Sequence, residues 1–357
     1  MGNISRLTSL AAAGAGGPAY KLAYSSSTES ALLNFSSGSV DLLSNFGIAS
    51  NTLTYSADGS LIGTADTGGN IKVYTATEDS ANLTATATAY RQIRTLDFNS
   101  SKNRIAVGVD DTSHCLRLYN LSGSSITLNK TANPSERVFQ AYAVKFNSAG
   151  QMNWGTRWTD PGIGYYYVYD STLTTSLGGE HPSQSSFIAG VALYPQNNNR
   201  VAVAAYNSVA YQPNLYIYQL SLPSISTLGS LQLPGGSAGI NGNPSQFPRP
   251  IDYSPDGNYI AMAFSGTSDG TGVYLIDVSN PASMSIVATH TLSNGSAASV
   301  SFSPDGQYLA LGIRSTSGGN PSLLVFDHKT PGTLNLNASY TGPTNVWCVQ
   351  FSPVLPE

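Results

Sequence analysis

The chain is expected to be all-β, a seven-bladed β-propeller with an extended N-terminal arm, and three observations predict this fold. First, an aromatic residue closes a short apolar strand and runs into a polar turn at Tyr55, Phe98, Phe146, Tyr194, Tyr253, Phe302 and Phe351. The intervals between them, 43, 48, 48, 59, 49 and 49 residues, match a supersecondary unit that stacks on copies of itself. Second, each interval holds short runs rich in Val, Ile, Tyr and Thr, bounded by Gly, Asn, Asp and Pro, with no amphipathic helical pattern. Third, the two ends of the chain complement each other.

Within a unit the elements follow in a constant order. The anchor closes the first strand. A turn such as SADG or SPDG then provides a tight link, with Asp opening it and Gly taking positive φ. A second apolar run follows, as in RIAVGVDD, RVAVAAY and YIAMAFSG. A third strand follows a loop, as in NIKVYTA, NLYIYQLS and SLLVFDH, and a weaker fourth is visible in ANLTATATA and SIVATHTL. Four antiparallel strands per unit make a propeller blade. The last anchor, in VWCVQFSP, has only a first strand behind it, while YKLAYSS (20–26), ALLNFSS (31–37) and VDLLSN (40–45) precede the first anchor. One C-terminal strand plus three N-terminal strands therefore closes the ring, which removes exposed sheet edges. Residues 19–357 read as the propeller and residues 1–18 as the arm.

Composition narrows the class. Charged residues are 10% of the chain against about 25% in ordinary soluble domains, and Ser, Thr, Asn, Gly and Tyr replace them. With net charge −4, a general nucleic-acid surface is not expected. A neutral exterior rich in hydroxyls and amides suits a protein held in an assembly or facing an extracellular medium. Cys115 and Cys348 fall on strands of different blades and are expected to be buried free thiols. The arm, MGNISRLTSLAAAGAGGP, is too short in its apolar part to span a membrane and lacks a strong signal-peptide core. Arg6 stands where a myristoylation pattern needs a hydroxyl residue. What remains is a segment that orders only on a partner, offering Ile4, Leu7 and Leu10 as an apolar strip.

The turns of the FSPDG type, and third strands ending VYD, LIDV and VFDH, resemble the repeats of the WD-repeat propeller superfamily across nearly the whole chain. No repeat carries the Gly-His pair and no third strand ends in Trp-Asp, so the polar Asp-His-Ser-Trp network of eukaryotic members is not carried over. The arm segment ISRLTSLAAAGAGG resembles the N-terminal segments of structural proteins from marine tailed bacteriophages, cyanophages included. That resemblance implies a non-enzymatic virion protein, a capsid decoration, tail or fibre-associated component, whose partners are other virion proteins bound through the arm. Two alternatives stand beside it: a secreted carbohydrate-binding or hydrolytic propeller, and a cellular WD-repeat-like interaction scaffold.

Chemistry-bearing patterns are sparse. His114, His181, His290 and His328 occur singly, without zinc-ligand spacing, and read as surface or strand-edge residues. The Asp-Gly turns at Asp58, Asp256 and Asp305 offer one carboxylate each and read as turns, while Asp110-Asp111 reads as a solvated loop. No metal site, cofactor or catalytic residue is expected. The loops carry more information. The fourth-to-first and second-to-third connections share one face of a propeller, and here they are enlarged, which gathers Trp158, Tyr165, Tyr206, Tyr211, Phe247 and Arg249. Aromatic rings with one guanidinium suit a partner surface or a glycan, with a host-surface glycan the expected small ligand. Both chain ends are expected on the opposite, short-loop face.

Overall fold

The computed structural model describes residues 19–111, 113–132, 139–158, 164–182, 187–207, 212–234, 249–265, 271–314 and 319–355. These residues form a β-propeller-type all-β arrangement of curled antiparallel sheets without an α-helix. One short 3-10 turn, Pro281–Ser283, is capped by the Asn280 side chain accepting from Ala282 N at 3.2 Å.

Consecutive strands pair as antiparallel meanders, each strand beside the next in sequence. One such set is Thr52–Tyr55, Leu61–Ala65, Asn70–Ala76 and Ala81–Thr88. Others run Ser296–Phe302, Tyr308–Arg314, Leu323–Asp327 and Asn335–Tyr340. Single bridges, Ser125 with Thr86 and Arg157 with Phe187, join neighbouring sets. The chain ends meet as the sequence implies: Val346–Phe351 pairs antiparallel with Tyr20–Ser26, in a four-stranded sheet completed by Glu29–Ser36 and Ser39–Ile48. Leu22 faces Phe351 and Tyr24 faces Val349 across that seam.

The core lies between consecutive sheets as much as within them. Leu22, Leu33, Phe35 and Val349 of the seam sheet pack on Tyr308, Ala310, Leu323 and Val325 of the preceding one. Strands buried on both faces read as nearly continuous apolar runs, which is why Tyr20–Ser26 shows little alternation. The outer strands carry the repeated irregularity. Pairing of third with fourth strands is interrupted by a bulge at Val73/Tyr74, Leu118/Tyr119, Val168/Tyr169, Ile217/Tyr218, Leu275/Ile276 and Val325/Phe326. A bulge bends and twists the strand, so the outer edges are turned away from edge-to-edge pairing.

The anchor turns form as read, with a detail that explains their serines. Ser56 Oγ donates to Asp58 Oδ1 at 2.8 Å and accepts from Leu61 N at 2.9 Å, so one hydroxyl ties both ends of the turn. Ser254 and Ser303 repeat this with Asp256 and Asp305, both at 2.6 Å. Gly59, Gly257 and Gly306 take φ of 73°, 74° and 73°. In the Phe98 turn Asn99 replaces the serine, and Lys102 adopts φ 57° without being glycine. Its ammonium reaches Asp58 at 2.5 Å in the neighbouring turn.

The turn carboxylates make stability depend on acid. Burial alone would raise Asp58, but hydrogen bonds from Lys102, Ser56 and Ser60 outweigh it and hold the pKa below the usual carboxylate range. Asp256 is likewise pushed up by burial and pulled further down by Ser254 and Asn258. A folded pKa below the unfolded value near ~3.9 adds stability above that pH and loses it as pH falls through the folded value. The double variant Asp58→Asn, Asp256→Asn is expected to lose less stability between neutral pH and about pH 2.5 than the parent. Urea midpoints at the two pH values check this, and an unchanged drop would assign the acid sensitivity elsewhere. Deleting the chain after Thr344 removes the seam strand and bares the edge of Tyr20–Ser26. Aggregation on a sizing column is expected, and a stable monomer would count against closure through this strand.

Candidate functional site

The first strands of successive sheets lie side by side around a common axis. Thr52–Tyr55 neighbours Ile93–Phe98, which neighbours Phe139–Phe146, then Phe187–Leu193, Ile251–Tyr253 and Ser296–Phe302. Val346–Phe351 follows and lies against Thr52–Tyr55 again. Four of the gaps between these inner strands are bridged by polar side chains one residue before an anchor. Asp97 Oδ2 accepts from Phe146 N at 2.8 Å, and Asp252 Oδ2 accepts from Phe302 N at 2.9 Å. Ser301 Oγ accepts from Phe351 N at 3.1 Å, and Gln350 Oε1 accepts from Tyr55 N at 3.0 Å. Each bond satisfies a backbone donor that its own sheet leaves unpaired.

Charge on the axis is balanced. Asp97 also accepts from Thr54 Oγ1 at 3.1 Å and Lys145 Nζ at 3.2 Å. Arg249 approaches Asp252 at 3.9 Å. Burial lowers the Lys145 pKa, with Arg249 adding to the effect and Asp97 opposing it; burial raises that of Asp252, with Arg249 opposing. The axial waist is closed: the cavity beside Leu53, Leu96, Val144, Val191 and Arg249 is only about 20 Å³, room for roughly one water.

At the end of the inner strands away from the anchor turns lies a recess of about 410 Å³, lined from three neighbouring sheets by Asn51, Gln92, Arg94, Asp66, Trp347 and serines. Arg94 is 8% exposed, and its Nη2 donates to Asp110 Oδ2 at 2.5 Å. Gln140 Nε2 donates to the other Asp110 oxygen, and Tyr142 O–H donates to Gln140 Oε1 at 2.6 Å. Burial pushes the Tyr142 hydroxyl pKa up, against the pull of Arg94 and Arg157, so the phenol stays neutral. Arg94 lies 5.6 Å from the Tyr142 ring centre, and Arg314 lies 5.6 Å from that of Trp347. Burial also lowers the Arg314 pKa. Arg94 thus lines the recess itself, and Arg314 lies beside its Trp347. Asp110-Asp111 is not the solvated loop expected from sequence: Asp110 is engaged as above, and Asp111 pairs with Arg117 at 2.9 Å.

Of the loop residues singled out by sequence, the three with described side chains, Tyr165, Tyr206 and Arg249, pack within the fold. Tyr206 is 5% exposed and packs on Phe187, ring centres 4.9 Å apart, so it builds the wall rather than offering a face. Tyr165 stacks on Tyr167 at 5.7 Å and meets His181 edge-on, again packing its own sheet. Arg249 points into the axis instead of the loop surface. Trp158 ends the strand Met152–Trp158, and its side chain lies outside the described residues, as do Tyr211, Phe247 and the arm residues Ile4, Leu7 and Leu10. His328, expected at a surface or strand edge, is 6% exposed between the rings of Tyr259 and Phe302. The residues that sequence reasoning missed carry a register signal: Asn51, Arg94 and Trp347 each stand four residues before an anchor and line the same recess.

Among the described residues no group of three or more His, Cys, Asp or Glu is placed to hold a metal ion. Cys115 and Cys348 are buried and free, and burial pushes the Cys115 thiol up to about 12. No described helix is long and apolar enough to cross a membrane. At the anchor-turn end, Ala19 shares a cavity of about 490 Å³ with Asp58, Gly59, Val354 and Leu355, so both ends of the described chain lie there.

No protein family matches the chain, and no curated protein matches it. Solved structures do. A candidate 6-phosphogluconolactonase from Bacteroides uniformis superposes with TM-score 0.67 at 12% identity, over 94% of this chain and 100% of its own. Hydrazine synthase from Kuenenia stuttgartiensis superposes with TM-score 0.62 at 13% identity, over 85% of this chain and 90% of the other. At such identity the likeness shows the fold alone. It is a β-propeller-type fold.

Axial charge pairing can be tested directly. Asp97→Ala deprives Lys145 of its ion-pair partner and Phe146 N of its acceptor, and is expected to cost about 3 kcal/mol in urea unfolding. Asp97→Asn keeps an acceptor and is expected to lose less. Equal losses would mean that the acceptor for Phe146 N contributes nothing, and no loss in either variant would mean that the charge on Lys145 needs no partner.

Proposed function

We propose that this protein is a seven-bladed β-propeller that acts by binding, a virion structural component of a tailed phage held by its N-terminal arm with the loop-rich face outward. The observation that carries the binding reading is the recess lined by Arg94, Trp347, Gln92 and serines at the end remote from the anchor turns. The carboxylates there are committed: Asp110 to Arg94 and Gln140, Asp66 to Asn70 N and Nδ2 at 2.9 and 2.8 Å. A mouth of guanidinium, amide and indole groups is equipped to hold a ligand. The blade count is supported by the seven anchors and by the cyclic order of inner strands. Placement in a particle is supported by the arm's sequence and by Ala19, from which the arm departs, lying at the end opposite the recess.

A second reading, hydrolysis of a sugar-derived substrate at the same mouth, is favoured by the likeness to the candidate 6-phosphogluconolactonase. Turnover of a sugar lactone that disappears in Arg94→Gln would establish it in place of binding alone.

The tether is tested by truncation. Removing residues 1–18 is expected to leave the melting temperature unchanged and to abolish co-sedimentation with particles lacking the protein. Equal incorporation of the truncated and full-length chains would overturn attachment through the arm.

A further inference from the structure

Charge in the recess is compensated from within. Arg94 and Asp66 both line it, and each is engaged inside the protein: Arg94 donates to Asp110 Oδ2 at 2.5 Å, and Asp66 accepts from Asn70 N and Nδ2 at 2.9 and 2.8 Å. A charged ligand would meet no uncompensated partner there. The groups that remain for a ligand are uncharged. Trp347, partly exposed, lines the recess. So do Gln92, partly exposed, and Thr67, exposed, and neither side chain has a hydrogen-bond partner among the described residues. Amide and hydroxyl both donate and accept, which matches a ligand whose own polar groups do the same.

A second aromatic ring stands beside this recess. Tyr90, two residues before Gln92, is 85% exposed and takes φ 55°, a left-handed backbone that is unfavourable for a bulky side chain. Its neighbours hold it there. Ala89 N donates to Gly69 O at 2.7 Å, Arg117 donates to Ala89 O, and Arg91 meets Asp111 at 3.6 Å. Gly69 is needed for this approach, since a Cβ at that position would come within 2.6 Å of Arg91 O. A strained residue that packs on nothing and is pinned outward is not explained by the stability of the fold. The recess volume, about 410 Å³, falls within the roughly 300–1,000 Å³ of small-molecule sites.

We infer that the recess binds a neutral saccharide, with one sugar ring on the Trp347 indole, its hydroxyls on Gln92 and Thr67, and the adjoining ring of the saccharide against Tyr90. This rests on the reading of the recess end as the binding face. The C–H face of a sugar ring carries partial positive charge and meets the negative face of an aromatic ring, while its rim of hydroxyls pairs with amide and hydroxyl groups. Holding Tyr90 in place before the ligand arrives lowers the ordering cost of binding.

The test is calorimetric titration of the full-length protein with maltotriose, cellotriose, mannotriose and triacetylchitotriose, beside the acidic trisaccharides sialyllactose and trigalacturonate. Binding of at least one neutral trisaccharide is expected, with both acidic ones weaker by about tenfold or more. Trp347→Ala is expected to weaken the neutral saccharide by about tenfold or more, and Gln92→Ala by several-fold. Tyr90→Gly separates function from structure, because glycine accepts φ 55° without strain. Its melting temperature is expected to hold or rise while saccharide binding weakens several-fold; a structural role would lower the melting temperature and leave binding alone. Thermal melts establish that each variant is folded, and if Trp347→Ala is not, Tyr90→Gly and Gln92→Ala carry the test. Binding of no neutral trisaccharide, tighter binding of an acidic one, or parental affinity in the folded variants would overturn the proposal. Protein that incorporates into particles but binds no saccharide would overturn this site alone. Protein that binds one but fails to incorporate would overturn the virion placement alone.

Discussion

The structure depends on side chains that cross from one inner strand to the next. A curled set of four strands leaves the backbone N–H groups of its innermost strand partly without partners, and around a narrow axis few waters can reach them. Asp97, Asp252, Ser301 and Gln350 supply the missing acceptors from the preceding sheet. Ser299 Oγ adds another to Val349 N at 2.9 Å. Because each bond joins two sheets, satisfying the axis and fixing the angle between sheets are the same event. The bond from Tyr55 N to Gln350, with that from Cys348 Sγ to Leu53 O at 3.4 Å, joins the C-terminal strand to the first complete unit, beside the pairing of that strand with Tyr20–Ser26.

This belt also explains where charge is found. A chain with few charged residues places Asp97, Lys145, Arg249 and Asp252 on the axis, where pairing offsets their desolvation. Above the waist Arg94 and Asp66 line the recess, Arg94 bound to Asp110 and Asp66 to Asn70. The recess at that end, about 410 Å³ against about 20 Å³ at the waist, is what sets it apart as a place for a ligand.

Much of the architecture was legible because it is local and repeated. The Ser-x-Asp-Gly turns announce themselves through residues that only such turns require, and strands of alternating or continuous apolar character follow them at fixed offsets. The N-terminal and C-terminal partial units could be joined on paper because each lacked what the other had. Less legible was burial. Tyr206 and Arg249 looked like loop-face residues, yet one packs on Phe187 and the other turns into the axis. His328 looked peripheral and is enclosed by two aromatic rings.

Sequence by itself determined the strand order, the anchor turns and the seam between the chain ends, because these follow from backbone geometry and from a period that spans no more than one unit. It could not determine which polar residues meet. Asn51, Arg94 and Trp347 are far apart along the chain, and although they share one register before their anchors, that register has meaning only once the inner strands stand around a common axis. Only the closed arrangement decides that a residue four places before an aromatic anchor faces the recess rather than a neighbouring sheet. Convergence of side chains from distant units is a property of curvature, and curvature is set by packing between sheets, which no single repeat encodes.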